Sequence, residues 1–251
     1  MTIDTLILGA TVTGCAAAMR LGERSLVVCE ETSAGAEFAD AMRADPCTEH
    51  TLFPMTADFR DELTKRGILE GGRLHILALG GVLAKRYLAS GCRLLLDVRV
   101  TCVRREDDGF LAEFFHPQSG FMTVHAAHVI DTRVHAFMDC RKYLSVLLAG
   151  NAALGTCPDD DAMLLCGKFA DEFVLSLPMP REIGLPDAME RANAWLSEHR
   201  AWLGGAKAAS MSLRFTYRFD APLDVTRDGV RYVPSASFGD VLAAFEGGER
   251  L

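Results

Sequence analysis

A chain of 251 residues, 49% hydrophobic and 24% charged, with a mean hydropathy of +0.14, has enough apolar material to bury a core without disulfides or metals, and its composition excludes extensive disorder. The formal net charge of −8 comes with no cluster of Lys and Arg, which excludes the basic face that nucleic-acid phosphates require. The eight cysteines are scattered through apolar segments without a C-x-x-C pair, so most are expected to be small buried hydrophobes. There is no basic leader and no apolar run approaching about 18 residues, so a cytoplasmic protein without a membrane partner is expected.

In chain order, the run Leu6-Ile7-Leu8, a glycine-containing turn, an alanine-rich stretch to Leu21 and a second apolar run from Ser25 to Cys29 predict strand, turn, helix and strand. Residues 32 to 70 read as an excursion with at most a short helix from Asp58 to Lys65. From Arg73 to Ala89, the positions of Leu74, Leu77, Ala78, Val82 and Tyr87 predict a helix buried along that face and closed by Gly91. Strands follow at Arg93 to Asp97, Arg99 to Arg105, Phe110 to Phe115 and Phe121 to Val124, the last two as a hairpin, and Ala127 to Ile130 returns to the main sheet. Residues 144 to 221, with the acidic loop 158–161 and a helix from Asp187 to Leu203 carrying both tryptophans, predict a small α+β cap domain. A strand from Val230 to Ser235 and a short helix opened by Phe238-Gly239-Asp240 and running to Glu246 complete the chain, so that 1–143 and 222–251 form the main domain.

The chemistry begins at Gly9-Ala10-Thr11-Val12-Thr13-Gly14, which stands between the first strand and first helix, where a G-x-G-x-x-G fingerprint belongs. A pyrophosphate needs N–H groups at a helix N-terminus, a glycine for the tight turn and another where helix meets strand, and Gly9 and Gly14 fill those roles. Thr11 replaces the middle glycine, and its hydroxyl could donate to a phosphate. Glu30, followed by Glu31, ends the second strand 21 residues after Gly9, near the spacing of about 20 at which a carboxylate accepts the adenosine ribose hydroxyls. Together these predict an α/β fold with a Rossmann-like FAD/NAD(P)-binding domain, a central parallel sheet and an inserted β-meander.

The same residues resemble FAD-dependent oxidoreductases with a glutathione-reductase-like FAD domain, above all members whose loop reads Gly-Ala-Thr-Pro-x-Gly; here Val12 stands for the Pro. The resemblance implies that the backbone of Arg99-Val100-Thr101 passes the adenine and that Ile130-Asp131-Thr132-Arg133 takes the place of Asp-Ala-Thr-Gly, with Arg133 where a Gly is usual. It implies that the Asp of Gly239-Asp240 binds the ribityl chain and that the helix after it points at the flavin pyrimidine. FAD is the cofactor so implied, with Gly9, Ala10, Thr11, Thr13, Gly14, Glu30, Glu31, Val100, Asp131, Thr132, Gly239 and Asp240 around it, and residues 144–221 shaping the substrate pocket.

Other constellations carry less. His125 and His128 fall on opposite faces of a strand, which disfavours a metal shared with His135. Cys47 and His50 stand in the loop after the second strand without a C-x4-C partner, so a disulfide-reductase mechanism is unsupported, and neither a P-loop nor G-x-S-x-G is present. Asp240 also reads as an ordinary helix N-cap. The expected function is an FAD-dependent oxidoreductase acting with a small-molecule substrate or electron donor and acceptor, with a homo-oligomer left open. Its rivals are a flavin- or nucleotide-binding protein without turnover and an NAD-only dehydrogenase.

Overall fold

The computed structural model describes residues 1–48, 52–150 and 156–251. β1 (Thr2–Leu8), α1 (Val12–Leu21) and β2 (Ser25–Val28) form the opening unit, followed by α2 (Pro54–Lys65), a short ladder of β3 (Leu69–Glu70) with β4 (Arg73–Leu74), and α3 (Leu79–Ala89). β5 (Arg93–Leu95), β6 (Arg99–Glu106), β7 (Gly109–His116) and β8 (Gly120–Asp131) come next. A second set holds β9 (Arg141–Ala149), β10 (Met163–Cys166), β11 (Glu172–Met179), α4 (Leu185–Glu198), α5 (Arg200–Leu203), β12 (Lys207–Met211) and β13 (Thr216–Arg218). The chain closes with β14 (Val225–Arg227), β15 (Val230–Tyr232) and α6 (Val241–Glu249).

The larger sheet runs β14-β15-β8-β1-β2-β5, parallel from β15 to β5. β8 changes partner along its length: residues 120–126 pair antiparallel with β7, and 125–131 pair parallel with β1. The strands that the sequence divides at Val124 and Ala127 are therefore one. The central strands are buried on both faces, as parallel sheets require. Alternation then assigns each face its own core: Ile7 and Val27 pack with α1, α3 and α6, while Leu6, Leu8, Leu26 and Val28 pack with Phe110, Phe114 and Val124 of the meander.

The smaller sheet, β10-β11-β9-β12 with β13 also on β9, is antiparallel. Leu144, Val146 and Leu148 face Ala188, Ala192 and Leu196 of α4. On the opposite face Val174 joins the core of the first unit, and the Thr216 hydroxyl donates to Ala41 O at 3.0 Å.

Several sequence expectations need correction. Arg73–Leu74 belongs to a ladder and Ile76–Ala78 to a 3-10 turn, so the helix starts at Leu79, and Leu77 is 61% exposed. The helix with the tryptophans breaks at His199 (φ −100, ψ 23), placing Trp195 and Trp202 in different helices, although their rings still meet edge to face at 5.8 Å. The strand expected from Val230 to Ser235 ends at Tyr232, and Ser235–Ser237 forms a 3-10 turn. Of the eight cysteines only Cys15, Cys29 and Cys47 are buried, and Cys166 is exposed. His50 lies outside the described residues. Among the described residues, no helix is long and apolar enough to cross a membrane.

Candidate functional site

The carboxyl ends of β1, β2 and β8 meet along one edge of the sheet, the place where open α/β sheets bind ligands. The chain leaves β1 through Gly9, at φ 103, where a Cβ would come within 2.7 Å of the Thr132 hydroxyl. At Gly14 a Cβ would lie 2.5 Å from Gly9 O and 3.0 Å from the Tyr87 hydroxyl. The two glycines thus do what the fingerprint asks of them, a tight turn and a close helix-to-strand approach.

Thr11, at the middle-glycine position, is the N-cap of α1. Its Oγ1 accepts from Gly14 N at 3.0 Å and donates to Thr132 Oγ1 at 2.8 Å, and Thr132 donates on to Leu8 O at 2.9 Å. The remaining first-turn donors are also bonded: Val12 N–H to Glu37 Oε1 at 2.8 Å, and Thr13 N–H to Ser235 Oγ at 3.3 Å. Ser235 Oγ donates to the same Glu37 oxygen at 2.8 Å. Thr13 turns its hydroxyl the other way, to Ala244 O of α6 at 2.8 Å. A helix N-terminus attracts acceptors and anions through its free N–H groups and dipole, and here the acceptor is the protein's own Glu37 carboxyl.

Glu30 remains exposed at the end of β2, where its Oε1 lies 3.4 Å from Val100 N and 3.4 Å from Arg133 Nη1. Glu31 accepts from Cys29 Sγ at 2.8 Å and pairs with Arg214. Burial alone would push the Glu31 carboxyl up, but these two partners outweigh it and hold it below its ordinary value, while burial drives the Cys29 thiol up to about 12. Asp131 is buried, accepting from Arg133 Nε at 3.0 Å and Nη2 at 2.8 Å, with His135 Nε2 at 2.8 Å. Against the opposing effect of burial, His135 and Arg133 keep the Asp131 carboxyl below its ordinary value.

A cavity of about 340 Å³ opens here, lined among others by Ala10, Thr11, Glu30, Glu31, Glu37 and Thr132, with Arg133, His135 and Arg214 supplying the basic groups. Val100 and Asp131 line a neighbouring cavity of about 290 Å³, to which Arg133 and His135 also contribute. Gly9, Thr13 and Gly14 form the turn beneath without lining the larger cavity, and Gly239 and Asp240 do not line it either. Asp240 is the N-cap of α6: Oδ1 accepts from Leu242 N at 2.8 Å and Ala243 N at 3.0 Å, while Oδ2 accepts from Thr48 N and Oγ1, both at 3.3 Å. The loop before it is pinned by buried Arg43, which donates to Ala236 O at 2.8 Å, to Phe238 O and to Gly239 O at 3.2 Å. Glu37, Arg43, Arg214 and Ser235 escaped the sequence reading. The question that would have found Glu37 is which group satisfies the first N–H donors of α1.

No protein-family model matches the chain, and no curated protein matches it in sequence. Solved structures do match in fold. An anhydrotetracycline hydroxylase from Streptomyces rimosus aligns with a TM-score of 0.68 at 14% identity, over 100% of this chain and 62% of its own. A p-nitrophenol 4-monooxygenase from Pseudomonas putida gives 0.65 at 12% identity, over 99% of this chain and 76% of its own. The flavin-dependent monooxygenase PieE, solved in complex with FAD and substrate, gives 0.56 at 13% identity, over 93% of this chain and 52% of its own. The chain has the mixed α/β fold of these proteins, with a central, mostly parallel sheet and additional antiparallel strands.

Proposed function

We propose that this chain binds FAD through the Gly9–Gly14 turn and acts as a flavin-dependent oxidoreductase on a small molecule. One observation carries the reading: Ala10 and Thr11 of the glycine turn, the Glu30 carboxylate and the basic groups Arg133 and Arg214 border one cavity at the carboxyl edge of the parallel sheet. The likeness in fold to a monooxygenase solved with FAD supports it.

In this reading Gly9, Ala10, Thr11, Thr13 and Gly14 carry the diphosphate, and Arg133 and Arg214 offset its charge. Glu30 and the Val100 backbone take the adenosine side, and Asp131 with Thr132 fixes the turn that closes over Gly9. Asp240 fixes the start of α6 and, through Thr48, ties it to the loop after β2. Bound flavin would supply the hydride and electron chemistry that no side chain provides. Residues 1–143 and 222–251 form the cofactor-binding unit, and 144–221 shape the substrate side.

The test is the visible absorption of the purified protein, followed by chromatography of whatever denaturation releases. Flavin bands with FAD released support the reading, and a colourless protein that takes up no added FAD overturns it. A second reading, nucleotide binding without turnover, is favoured by the first-turn N–H groups of α1 being already bonded. Rapid reduction of bound flavin by NADH or NADPH, with reoxidation by oxygen, would exclude that alternative.

A further inference from the structure

The diphosphate position in a dinucleotide fold is defined by the first N–H groups of the fingerprint helix. In this chain Glu37 stands there. Its Oε1 accepts from Val12 N at 2.8 Å and from Ser235 Oγ at 2.8 Å, and Ser235 Oγ in turn accepts from Thr13 N, so one carboxylate serves two donors of the turn. It is half-buried on the wall of the cavity that also holds Thr11, Glu30 and Arg133. An anionic diphosphate bonded to the same N–H groups would meet this carboxylate at hydrogen-bonding range. Two like charges that close do not both persist in a site with little water.

We propose that Glu37 is a resident anion in the diphosphate position, and that an ADP-bearing cofactor enters only as Glu37 takes up one proton and yields Val12 N–H. The inference rests on the FAD reading and adds to it the residue that sets affinity. The proton comes from solvent and forms the O–H of a neutral Glu37 carboxyl, which keeps its place on the wall as a donor to the incoming phosphate oxygen. Burial already pushes the Glu37 carboxyl up, against the bonds from Val12 and Ser235 that hold it down.

Charged and titratable groups surround it, among them Cys29, Glu30 and Tyr217 on the same cavity wall. Glu31, from the end of β2, adds to the upward push. Arg43 faces it from the loop after β2, and Cys15 of α1 and Tyr87 of α3 from behind; burial pushes both of these last groups up, so they stay neutral. Arg133, His135 and Arg214 stand on the cavity wall. His135 is present in wild type and variants alike, so a difference in their pH response belongs to residue 37.

The experiment measures dissociation constants of FAD and of ADP-ribose for the full chain, wild type and Glu37→Gln, from pH 6 to 9 by fluorescence and calorimetry, with Glu37→Ser as a second variant should Gln perturb folding. Wild-type affinity should fall by about tenfold per pH unit above the pH at which free Glu37 loses its proton, with close to one proton taken up per ligand. Glu37→Gln should flatten the profile and bind at least about tenfold more tightly at the alkaline end. Equal affinity and equal pH profiles for wild type and both variants would overturn the role of Glu37 while leaving the FAD reading intact. ADP-ribose bound more tightly by Glu37→Gln, with FAD refused by every form, would sink the flavin reading and retain the role of Glu37. If neither ligand binds any form, both fall.

Discussion

Replacing Gly248 by Ala tests how closely α6 is set against the fingerprint helix. A Cβ at residue 248 would lie 2.1 Å from Thr13 O and 2.9 Å from Ala16 Cβ, more than an ångström short of ordinary contact with a backbone oxygen. In isolation the change favours the helix by about 1 kcal/mol. Against this, separating the helices strains a packed core at about 1–3 kcal/mol. It also stretches the buried bond from Thr13 Oγ1 to Ala244 O (2.8 Å), at about 1 kcal/mol or more. Fraying the last turn offers no escape, because Glu249 caps α2 through Met55 N, Thr56 N and the Thr56 hydroxyl at 2.9, 2.8 and 2.7 Å. The net loss should be about 2 kcal/mol in urea unfolding, or a melting temperature lower by about 4–8 °C. Gly247 supplies the control: the nearest atoms to its Cβ belong to the ring of half-buried Phe238, at 2.1 Å from Cζ, the far end of a side chain rather than backbone. Gly247→Ala should therefore fall within about 0.5 kcal/mol of wild type. Wild-type stability in Gly248→Ala, or equal losses in the two variants, would refute the close-approach argument.

Glu249→Ala strips the cap from α2 and should cost about 1–2 kcal/mol in the same urea titration; no loss would mean that α2 is held by Phe59 and Leu63 packing alone. Because Asp131 is held below its ordinary value, its contribution is full above the unfolded carboxylate pKa of about 3.9 and is lost as pH falls through the folded value. Melting temperatures of Asp131→Asn should thus lie below wild type at neutral pH and converge with it in acid; a constant gap down to strong acid would contradict the ion-pair account. Among the thiols, exposed Cys166 should react with Ellman's reagent in the native protein. Cys29 and Cys47, both pushed up to about 12 by burial, and Cys15, pushed further, should react only on unfolding. Mass spectrometry of the native adduct finding Cys29 labelled as fast as Cys166 would rule this out.

The opening βαβ unit was legible because its signals are local and redundant. Leu6 to Leu8 and Leu26 to Val28 are apolar at every position, as strands covered on both faces must be, and two glycines mark the turn between strand and helix. Where one pattern served two structures, periodicity misled. Leu74 and Leu77 continue the spacing of α3 backward, yet Leu74 is buried through pairing with Leu69 while Leu77 stands exposed. The pair His125 and His128 interrupts the apolar run of β8 and suggests two strands. What changes there is the partner, from β7 to β1, and a single sequence does not show which strand will lie alongside.

The site was legible in its frame and hidden in its filling. Glu30 stands at a strand end where spacing finds it, and the family resemblance alone points to Asp131 and Thr132; Glu37 meets Val12 across 25 residues and Ser235 across 198, and no motif joins them. Read along the chain, Thr11 and Arg133 are two departures from a glycine pattern. In space each has a defined partner: the Thr11 hydroxyl runs through Thr132 to Leu8 O, and the Arg133 guanidinium takes both oxygens of Asp131. Such partners are what buried or half-buried polar side chains need, and a glycine at either place would leave Thr132 or Asp131 short of one. Thr11, Glu37 and Arg133 thus line the cavity with polar groups already bonded to the protein. In the proposed reading a diphosphate would compete with these bonds, so affinity for a dinucleotide would depend on the charge the side chains leave there as well as on the glycine turn.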